Sequence, residues 1–234
     1  MTKSEVETEI CLFDLDGTLV LSTEAVERAW SVLFKKHNLH PEDFFEGNHG
    51  VRTTDTFKKY LPEIDNTNNA ASDEFEVTIS NDWGHLAMPL KGASQLINSI
   101  PEDRWCIVTS GTTKMAHGWF EKVLINDGIS KPKVFITASD VKQGKPNPEG
   151  YLKGAKLLEA KLYQGKITKK VVFEDAPAGI KAGLASGAIV IGITSSFDRD
   201  VLIEAGANYV VKDLSSVVVK NINDTSFTLE IDHL

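Results

Sequence analysis

Strand-like and helix-like patterns alternate along the chain from Pro89 onward. Short apolar runs of strand length follow stretches in which apolar residues recur at helical spacing. The predicted strands cover residues 105–109, 133–137, 171–174, 188–194 and 209–211, and the predicted helices cover residues 92–99, 113–124, 148–160, 176–186 and 198–204. This alternation predicts an α/β fold of Rossmann-like type, a parallel sheet with helices on both faces, because helices usually connect neighbouring parallel strands. Ligands of such sheets bind at the carboxyl ends of the strands.

The first predicted strand ends in a pair of acids. An apolar run begins at Ile10 and leads to Asp14 and Asp16, after which Gly17 allows a sharp turn. Side chains alternate across a strand, so the two carboxylates can face the same way, and two acids this close are unfavourable without a cation or a proton between them. The pattern therefore predicts a divalent metal site at the mouth of the sheet.

The segment between the first strand and Pro89 has helical patterns and no strand pattern. The predicted helices cover residues 22–38, 41–45, 53–60 and 69–85, and Ser22 or Thr23 is expected to cap the first of them. We therefore expect a small helical cap domain at residues 22–88, called the insert below, and a core domain formed by residues 1–21 and 89–234. Residues 216–231 place apolar runs on both sides of a polar turn, which predicts a terminal hairpin.

Composition argues against several classes of partner. The chain has 234 residues and a formal net charge of −8, and nothing in it supplies the basic stripe that a nucleic-acid backbone requires. Its apolar stretches are strand-sized and residues 1–9 are polar and acidic, which predicts a cytoplasmic protein without a membrane partner. Cys11 and Cys106 lie in apolar strand-like runs, where burial as small hydrophobic residues is favoured over a disulfide.

Polar side chains of complementary chemistry fall where the predicted strands end or in a nearby loop. These are Asp14, Asp16, Ser110, Lys145, Glu174 and Asp175. Taken singly, Ser110 is typical of a helix cap and Lys145 of a solvated surface lysine. Together they match the needs of phosphoryl transfer, namely a nucleophile, a metal that neutralises charge, and donors to the phosphoryl oxygens. Their convergence on one sheet edge favours the functional interpretation.

Four short segments, in this order, resemble the sequence motifs of the haloacid dehalogenase (HAD) superfamily. They are Asp14-Leu15-Asp16-Gly17-Thr18, Ile107-Val108-Thr109-Ser110-Gly111, Gly144-Lys145-Pro146-Asn147-Pro148 and Phe173-Glu174-Asp175-Ala176-Pro177-Ala178-Gly179. A helical insert between the first two segments also fits that superfamily. The resemblance extends over almost the whole chain, and it implies a HAD-like core, phosphoryl-transfer chemistry and a Mg²⁺ cofactor.

The resemblance implies a division of labour among the acids. Asp14 is expected to be the nucleophile that forms an aspartyl-phosphate, and Asp16 to protonate the leaving alcohol and later to deprotonate the attacking water. The carboxylates of Asp14 and Asp175 and the backbone carbonyl of Asp16 are expected to ligate Mg²⁺, a hard cation that prefers oxygen. Glu174 is expected at the metal as well, either directly or through a water molecule.

The remaining motif residues are expected to contact the phosphate. The resemblance implies that Ser110 and the backbone amide of Gly111 hold the phosphoryl oxygens. Lys145 is expected to balance the negative charges of the nucleophile and the phosphate.

Within the insert, residues 48–53 stand out. Arg52 falls at the predicted start of a helix, and similar His-Gly-x-Arg-Thr segments occur in relatives that act on small sugar and polyol phosphates. We expect Arg52 and His49 to bind the substrate. The alternatives are an ion pair of Arg52 with Asp55 or Asp43 and a loop histidine that is simply hydrogen-bonded.

The predicted activity is Mg²⁺-dependent hydrolysis of small sugar or polyol phosphates by a monomer. Within the superfamily, the chain resembles the 2-deoxyglucose-6-phosphate phosphatases first, with residues 11–16, 192–198 and 205–211 favouring them, and the glycerol-3-phosphate phosphatases next. A phosphosugar mutase of the same fold and a non-enzymatic phosphate-ligand binding protein stay open as alternatives. A haloacid dehalogenase is disfavoured, because that enzyme needs no metal and lacks the second acid present here as Asp16.

Overall fold

The computed structural model describes residues 2–40, 49–162 and 166–234. Parallel strands form the central six-stranded sheet: β2 (Ile10–Phe13), β5 (Trp105–Val108), β6 (Phe135–Ile136), β7 (Lys170–Glu174), β8 (Ile189–Ile193) and β9 (Tyr209–Val211). The strand order across the sheet is β6-β5-β2-β7-β8-β9. The chain therefore builds the sheet outward from β2 in both directions, as in doubly wound α/β proteins, and the predicted fold is confirmed. The order reverses beside β2, which is where ligands of such sheets bind.

Helices connect these strands close to the positions that the sequence predicts. They are α1 (Thr23–Lys36), α2 (Thr53–Tyr60), α3 (Ala70–Asp82), α4 (Ala93–Ser99), α5 (Thr113–Trp119), α6 (Glu149–Leu162), α7 (Pro177–Ala185) and α8 (Arg199–Glu204). The predicted helix 113–124 is continued beyond Trp119 by a π-helical turn, Phe120–Leu124. The predicted helix 41–45 lies outside the described residues. Among the helices of the described ranges, none is both long enough and apolar enough to cross a membrane.

The sheet is buried on both faces, and successive residues of a strand contribute to opposite faces. Phe13 and Phe173 belong to the apolar cluster on one face, whereas Leu12 and Val172 belong to the cluster on the other. The rings of Phe13 and Phe173 stack with their centroids 4.5 Å apart. Because Phe13 is fully buried and immediately precedes Asp14, this packing fixes the end of β2 and with it the first acid of the site.

The insert is joined to the core by a short antiparallel ribbon. β3 (Val20–Leu21) precedes α1 and pairs with β4 (Met88–Pro89), which follows α3. The helices between these strands share an apolar cluster of their own, formed by Trp30, Phe34, Phe57 and Leu61. The insert therefore has its own packed centre, and the paired strands β3 and β4 bring its two connections side by side.

A second sheet contains one strand that the sequence did not predict. β1 (Thr2–Thr8) pairs antiparallel with β11 (Phe227–His233), which also pairs with β10 (Val217–Lys220) and so confirms the predicted terminal hairpin. In β1, Val6 is the single strongly apolar residue, so hydrophobic periodicity gives no strand signal there. Backbone pairing along the whole of β11 makes this segment a strand.

Gly92 occupies a position that only glycine fits. Its φ is +88°, and a Cβ there would lie 2.1 Å from the backbone nitrogen of Ser215. We expect Gly92→Ala to lower the free energy of unfolding by at least about 2 kcal/mol, because the left-handed conformation and the backbone contact both oppose a side chain. Urea denaturation followed by circular dichroism measures this change.

Gly118→Ala is the matched control for that measurement. Gly118 lies in α5, and nothing approaches its Cβ position within 4 Å. Alanine at a helical position of this kind is expected to be neutral or to raise the free energy of unfolding by up to about 1 kcal/mol. Equal effects of the two substitutions would contradict the structural reason given for Gly92.

Candidate active site

The carboxyl ends of neighbouring strands bring the predicted acids together. Asp14 follows β2, Glu174 ends β7, and Asp175 comes directly after it. β2 and β7 are adjacent and parallel, with Phe13 opposite Phe173, so the residues that follow lie at one edge of the sheet. All three acids are at least 96% buried, with relative exposures of 4% for Asp14, 0% for Glu174 and 3% for Asp175. The predicted convergence of these residues on one site is therefore present.

Lys145 joins two of these acids. Its ammonium group donates to Oδ1 of Asp14, and it donates to Oε1 of Glu174 over 2.6 Å. Burial lowers the pKa of Lys145, but attraction to Asp14 and Glu174 outweighs it and raises the pKa above its ordinary range. Lys145 is thus a buried, permanently charged partner of the acids, which is not the solvated surface lysine of the alternative interpretation.

Glu174 is held by four donors. Besides Lys145, the Tyr151 hydroxyl donates to Oε1 over 2.7 Å, and the backbone amides of Asp175 and Ala176 donate to Oε2 over 3.0 and 3.2 Å. The carboxylate lies in a space that a side chain at Gly179 would fill, because a Cβ there would be 1.7 Å from Oε1. These contacts fix the orientation of Glu174, and through it the position of Lys145.

The acid cluster has the chemistry of a site for a hard divalent cation. Asp14, Glu174 and Asp175 each offer a carboxylate oxygen, and these oxygens lie within 4.8 Å of one another. Lys145 supplies a single positive charge against three buried carboxylates. Burial raises the pKa of Asp14 and attraction by Lys145 lowers it. Repulsion from Glu174 and Asp175 adds to the effect of burial, so the pKa stays well above its ordinary range. Burial and repulsion from Glu174 raise the pKa of Asp175 to about 8. An oxygen-ligated cation such as Mg²⁺ fits this donor set.

Asp16 differs from Asp14 in its surroundings. Its carboxylate is not part of the three-carboxylate cluster, and Oδ1 accepts a hydrogen bond from the Ser22 hydroxyl over 2.6 Å. Burial raises the pKa of Asp16, and the Ser22 bond opposes that shift. The sequence predicted that Ser22 or Thr23 caps α1. Ser22 holds the N-cap position, but its side chain makes no capping hydrogen bond and is used at the site instead.

Ser110 and Gly111, which were predicted to hold the phosphoryl oxygens, line the same cavity as Asp14. The Ser110 hydroxyl donates to the backbone carbonyl of Gly50 in the insert over 2.6 Å. The backbone amide of Gly111 donates to the Thr109 hydroxyl over 3.0 Å. Both donors are in place beside the acids, and each has an acceptor within the protein.

The two residues of the insert that were predicted to bind substrate lie in different places. His49 lines the cavity, with Nε2 3.1 Å from Oε1 of Glu27, and burial lowers its pKa. Arg52 does not line this cavity. Its Nε donates to Asp55 over 2.7 Å, which is the ion pair that the sequence offered as the alternative. The other alternative partner, Asp43, lies outside the described residues, and binding of substrate by His49 or Arg52 stays a prediction.

Arg52 also connects the insert to the core. Nη1 donates to the carbonyl of Val141 and Nη2 donates to the carbonyl of Lys142, each over 3.3 Å. These carbonyls lie just before Lys145 in the chain. The guanidinium group is therefore committed to the loop that carries the lysine rather than to the cavity.

Sequence reasoning missed Glu76 and Tyr151. Glu76 of α3 lines the cavity together with Asp14 and Ser110, and Tyr151 of α6 bonds to Glu174. Burial raises the pKa of Glu76 to about 7. The helical position of each residue was visible in the sequence, but the distant partner that gives it a role was not.

The two cysteines are buried, as the sequence predicts, and the tryptophans also serve in packing. Cys11 and Cys106 are both free and buried, and burial raises the pKa of both thiols. Trp105 and Trp119 are buried in the core, and Trp83 packs against it from a partly buried position. Trp30 packs in the insert and also contributes to the wall of the cavity.

A family model describing haloacid dehalogenase-like hydrolases matches residues 8–187, which include every motif of the site. The chain belongs to this family. The predicted resemblance to the HAD superfamily is thereby confirmed, and the matched residues include β2, β5, β6 and β7 of the six-stranded sheet.

Relatives of this HAD-like hydrolase include named phosphatases. It is 43% identical to 2-deoxyglucose-6-phosphate phosphatase 2 of Saccharomyces cerevisiae, over 98% of this chain and 97% of that protein. It is 40% identical to glycerol-1-phosphate phosphohydrolase 2 of the same yeast, over 93% of this chain and 87% of that protein. The crystal structure of a hydrolase from Pseudomonas syringae superposes with a TM-score of 0.73 and 26% identity, covering 88% of this chain and 94% of that one.

The acid cluster is expected to make the stability of the metal-free hydrolase depend on pH. The pKa of Asp175 rises from 3.8 in an ordinary setting to about 8 in the folded protein, so the folded state holds a proton that the unfolded chain releases between these values. We expect the free energy of unfolding in EDTA to fall by more than about 1 kcal/mol between about pH 5 and about pH 8. Mg²⁺ is expected to reduce this fall, because it binds the ionised carboxylates.

Urea titrations across that pH range, with EDTA or with Mg²⁺, measure the effect. Asp175→Asn should flatten the pH dependence in EDTA and weaken stabilisation by Mg²⁺. Asp200→Asn is the matched control, because the Asp200 side chain is 95% exposed on α8. A pH dependence in Asp175→Asn as steep as in the wild type would contradict the role of the cluster.

Proposed function

We propose that this HAD-like hydrolase is a Mg²⁺-dependent phosphomonoesterase that acts on small sugar or polyol phosphates through an aspartyl-phosphate on Asp14. The observation that carries the proposal is the contact of Lys145 with Asp14 beside two further buried acids. The names of the related phosphatases support the substrate class. In this proposal Lys145 and a bound cation act together to keep Asp14 ionised, because Lys145 alone leaves the pKa of Asp14 raised.

The first half of the proposed reaction uses Asp14 and Asp16 in different roles. An oxygen of Asp14 attacks phosphorus and forms a new O–P bond, while the bond from phosphorus to the ester oxygen breaks. Asp16 gives its proton to the departing oxygen, which leaves as an alcohol. The raised pKa of Asp16 and its position outside the acid cluster support this assignment, because they suit a carboxyl that carries a proton.

The second half regenerates the enzyme. A water molecule attacks phosphorus of the aspartyl-phosphate, and Asp16 accepts the proton of that water. The bond between phosphorus and Asp14 breaks, inorganic phosphate leaves, and both acids return to their starting forms. Ser110, the amide of Gly111 and Lys145 are proposed to donate to the phosphoryl oxygens during both halves.

The residues proposed to hold Mg²⁺ are Asp14 and Asp175 through carboxylates and Asp16 through its carbonyl. When bound, the cation supplies positive charge that offsets the negative charge of the nucleophile and the phosphoryl group. Glu174 is proposed to act mainly by orienting Lys145, since its four donors already occupy both carboxylate oxygens.

We further propose that residues 22–88 form a cap that covers the site and contributes to substrate choice. Support comes from the cavity, which is lined by the core residues Asp14 and Ser110 and by the insert residues Trp30, His49 and Thr56. A cover of this kind excludes bulk water while the nucleophile attacks. A cytoplasmic location and a monomeric state stay predictions.

The preferred substrate is tested by phosphate release with Mg²⁺ at sub-saturating concentrations of 2-deoxyglucose 6-phosphate, other hexose phosphates and glycerol phosphates. Release of phosphate from a sugar monophosphate, without any bisphosphate added to the assay, supports a phosphatase over a mutase of the same fold. Absence of hydrolysis of every ester would favour a phosphate-binding protein.

Asp14→Asn is expected to lower kcat for any phosphomonoester by at least about 10³-fold, because the amide cannot act as the nucleophile. The release of 4-nitrophenol from 4-nitrophenyl phosphate measures this loss. Asp200→Asn is the control and should retain full activity. Appreciable turnover by Asp14→Asn would contradict the proposed mechanism, provided that circular dichroism shows the variant to be folded.

Asp16→Ala is expected to affect alkyl and aryl esters differently. With a sugar phosphate, loss of the acid should slow formation of the phosphoenzyme by about 10²-fold or more, because the leaving alkoxide needs a proton. 4-Nitrophenolate leaves without needing a proton, so kcat/KM for 4-nitrophenyl phosphate should fall less. Breakdown of the phosphoenzyme should still slow, because it needs Asp16 as a base. Stopped-flow release of 4-nitrophenol should then show a burst. Equal losses of kcat/KM for both esters would contradict the role of Asp16.

A further inference from the structure

Among the described residues that line the cavity beside Asp14, one further buried carboxylate belongs to the insert. Glu76 of α3 is 2% exposed and lines the cavity together with Asp14, Asp16 and Ser110. Glu74, two residues earlier on the same helix, is exposed. Burial of a carboxylate is costly without compensation. Neither the motifs nor the mechanism proposed above gives Glu76 a role.

Two uncharged donors fix the orientation of Glu76. The Thr53 hydroxyl donates to Oε1 over 2.5 Å, and the backbone amide of Thr112 donates to Oε2 over 2.6 Å. Over the part of the chain that the structure describes, no lysine, arginine or histidine forms an ion pair with Glu76. An ionised carboxylate offers about four acceptor sites, so about two stay available to a ligand.

Among the described residues of the insert that line the cavity, the rest are uncharged apart from His49. This wall combines apolar side chains with hydroxyl groups, namely Val26, Trp30, Thr53, Thr56 and Ile79. A phosphate held at Asp14 and Ser110 would direct the alcohol half of the ester toward this wall. That half therefore meets apolar surface, hydroxyl groups and one oriented, unneutralised carboxylate.

We propose that Glu76 is a specificity-determining residue that accepts hydrogen bonds from hydroxyl groups of the leaving alcohol and repels a second anionic group. The enzyme would thereby select monophosphates of neutral sugars and polyols over esters that carry a further carboxylate or phosphate. Repulsion between like charges is strong in a cavity shielded from water, and a site can reject a competitor through it. This inference rests on the proposed phosphatase function.

Glu76 also bears on the choice between hydrolase and mutase. A phosphosugar mutase must accommodate a bisphosphate, whose second phosphate would lie away from Asp14 and toward the insert. An uncompensated carboxylate there disfavours that ligand. Glu76 thus favours a hydrolase, which releases a neutral alcohol, over a mutase, which must bind a bisphosphate.

D-Glucitol 6-phosphate and 6-phosphogluconate form a matched pair for the test. They share a carbon skeleton and a phosphate position, and differ in a neutral hydroxymethyl group against a carboxylate at the other end. The readout is the ratio of their kcat/KM values with Mg²⁺ at about pH 8, where Glu76 is mainly ionised. Glu76→Gln keeps the volume and removes the charge, so we expect the ratio of neutral to anionic substrate to fall by at least about tenfold.

Two variants separate charge from structure. Glu76→Asp keeps the charge while it shortens the side chain, so its ratio should stay within about threefold of the wild type even where its activity is lower. Glu74→Gln removes an exposed charge from the same helix and should leave both kcat/KM values unchanged. If Glu76→Gln does not fold, Glu76→Asp decides the question. Loss of the preference for the neutral substrate in Glu76→Asp overturns the proposal, and a retained preference supports it.

A merely structural role for Glu76 predicts a different result. Loss of the bonds to Thr53 and Thr112 would lower kcat/KM for both substrates by the same factor, and an unchanged ratio in Glu76→Gln would overturn the proposal. Hydrolysis of 4-nitrophenyl phosphate by the wild type distinguishes this failure from failure of the proposed function. If the wild type hydrolyses no ester, the phosphatase function itself is overturned, and the inference about Glu76 with it.

Discussion

The bond between Lys145 and the buried acids is the interaction on which the rest of this site depends. Lys145 contacts Asp14 and Glu174, and the second contact is fixed because Tyr151 and two backbone amides hold the Glu174 carboxylate. One lysine cannot neutralise three buried carboxylates. The fold therefore creates a site with an excess of buried negative charge, and this excess is the physical basis of the proposed divalent-cation site.

The main parts of this arrangement were predictable because they follow from local sequence and sheet topology. Asp14 and Glu174 lie at the ends of short apolar runs, and each run is long enough for a strand and too short for a helix. Once alternation implied a parallel sheet, the ends of those runs had to meet at one edge. The sheet order, with β2 beside β7, then brought the two acids side by side.

Residues that act through distant contacts were not predictable in the same way. α3 contains Asp73, Glu74 and Glu76, and periodicity alone does not show which of them is buried against α2 and α5. Tyr151 of α6 helps to hold the site because its hydroxyl donates to Glu174, which lies 23 residues away in sequence. β1 is a strand because it pairs with β11, where Lys3 lies opposite Asp232, far away in the sequence. Each case needs the tertiary structure.

The insert and the core are joined through the same loops that carry the chemistry. The Ser110 hydroxyl donates to Gly50, the Thr112 amide donates to Glu76, and Arg52 donates to the carbonyl of Val141. A serine hydroxyl has one proton, so Ser110 cannot donate to Gly50 and to a phosphoryl oxygen at the same time. Under the proposed role of Ser110, the insert and a phosphoryl group compete for this one donor, whereas the contacts of Glu76 and Arg52 do not use it. The proposed mechanism therefore links phosphate binding to the position of the insert.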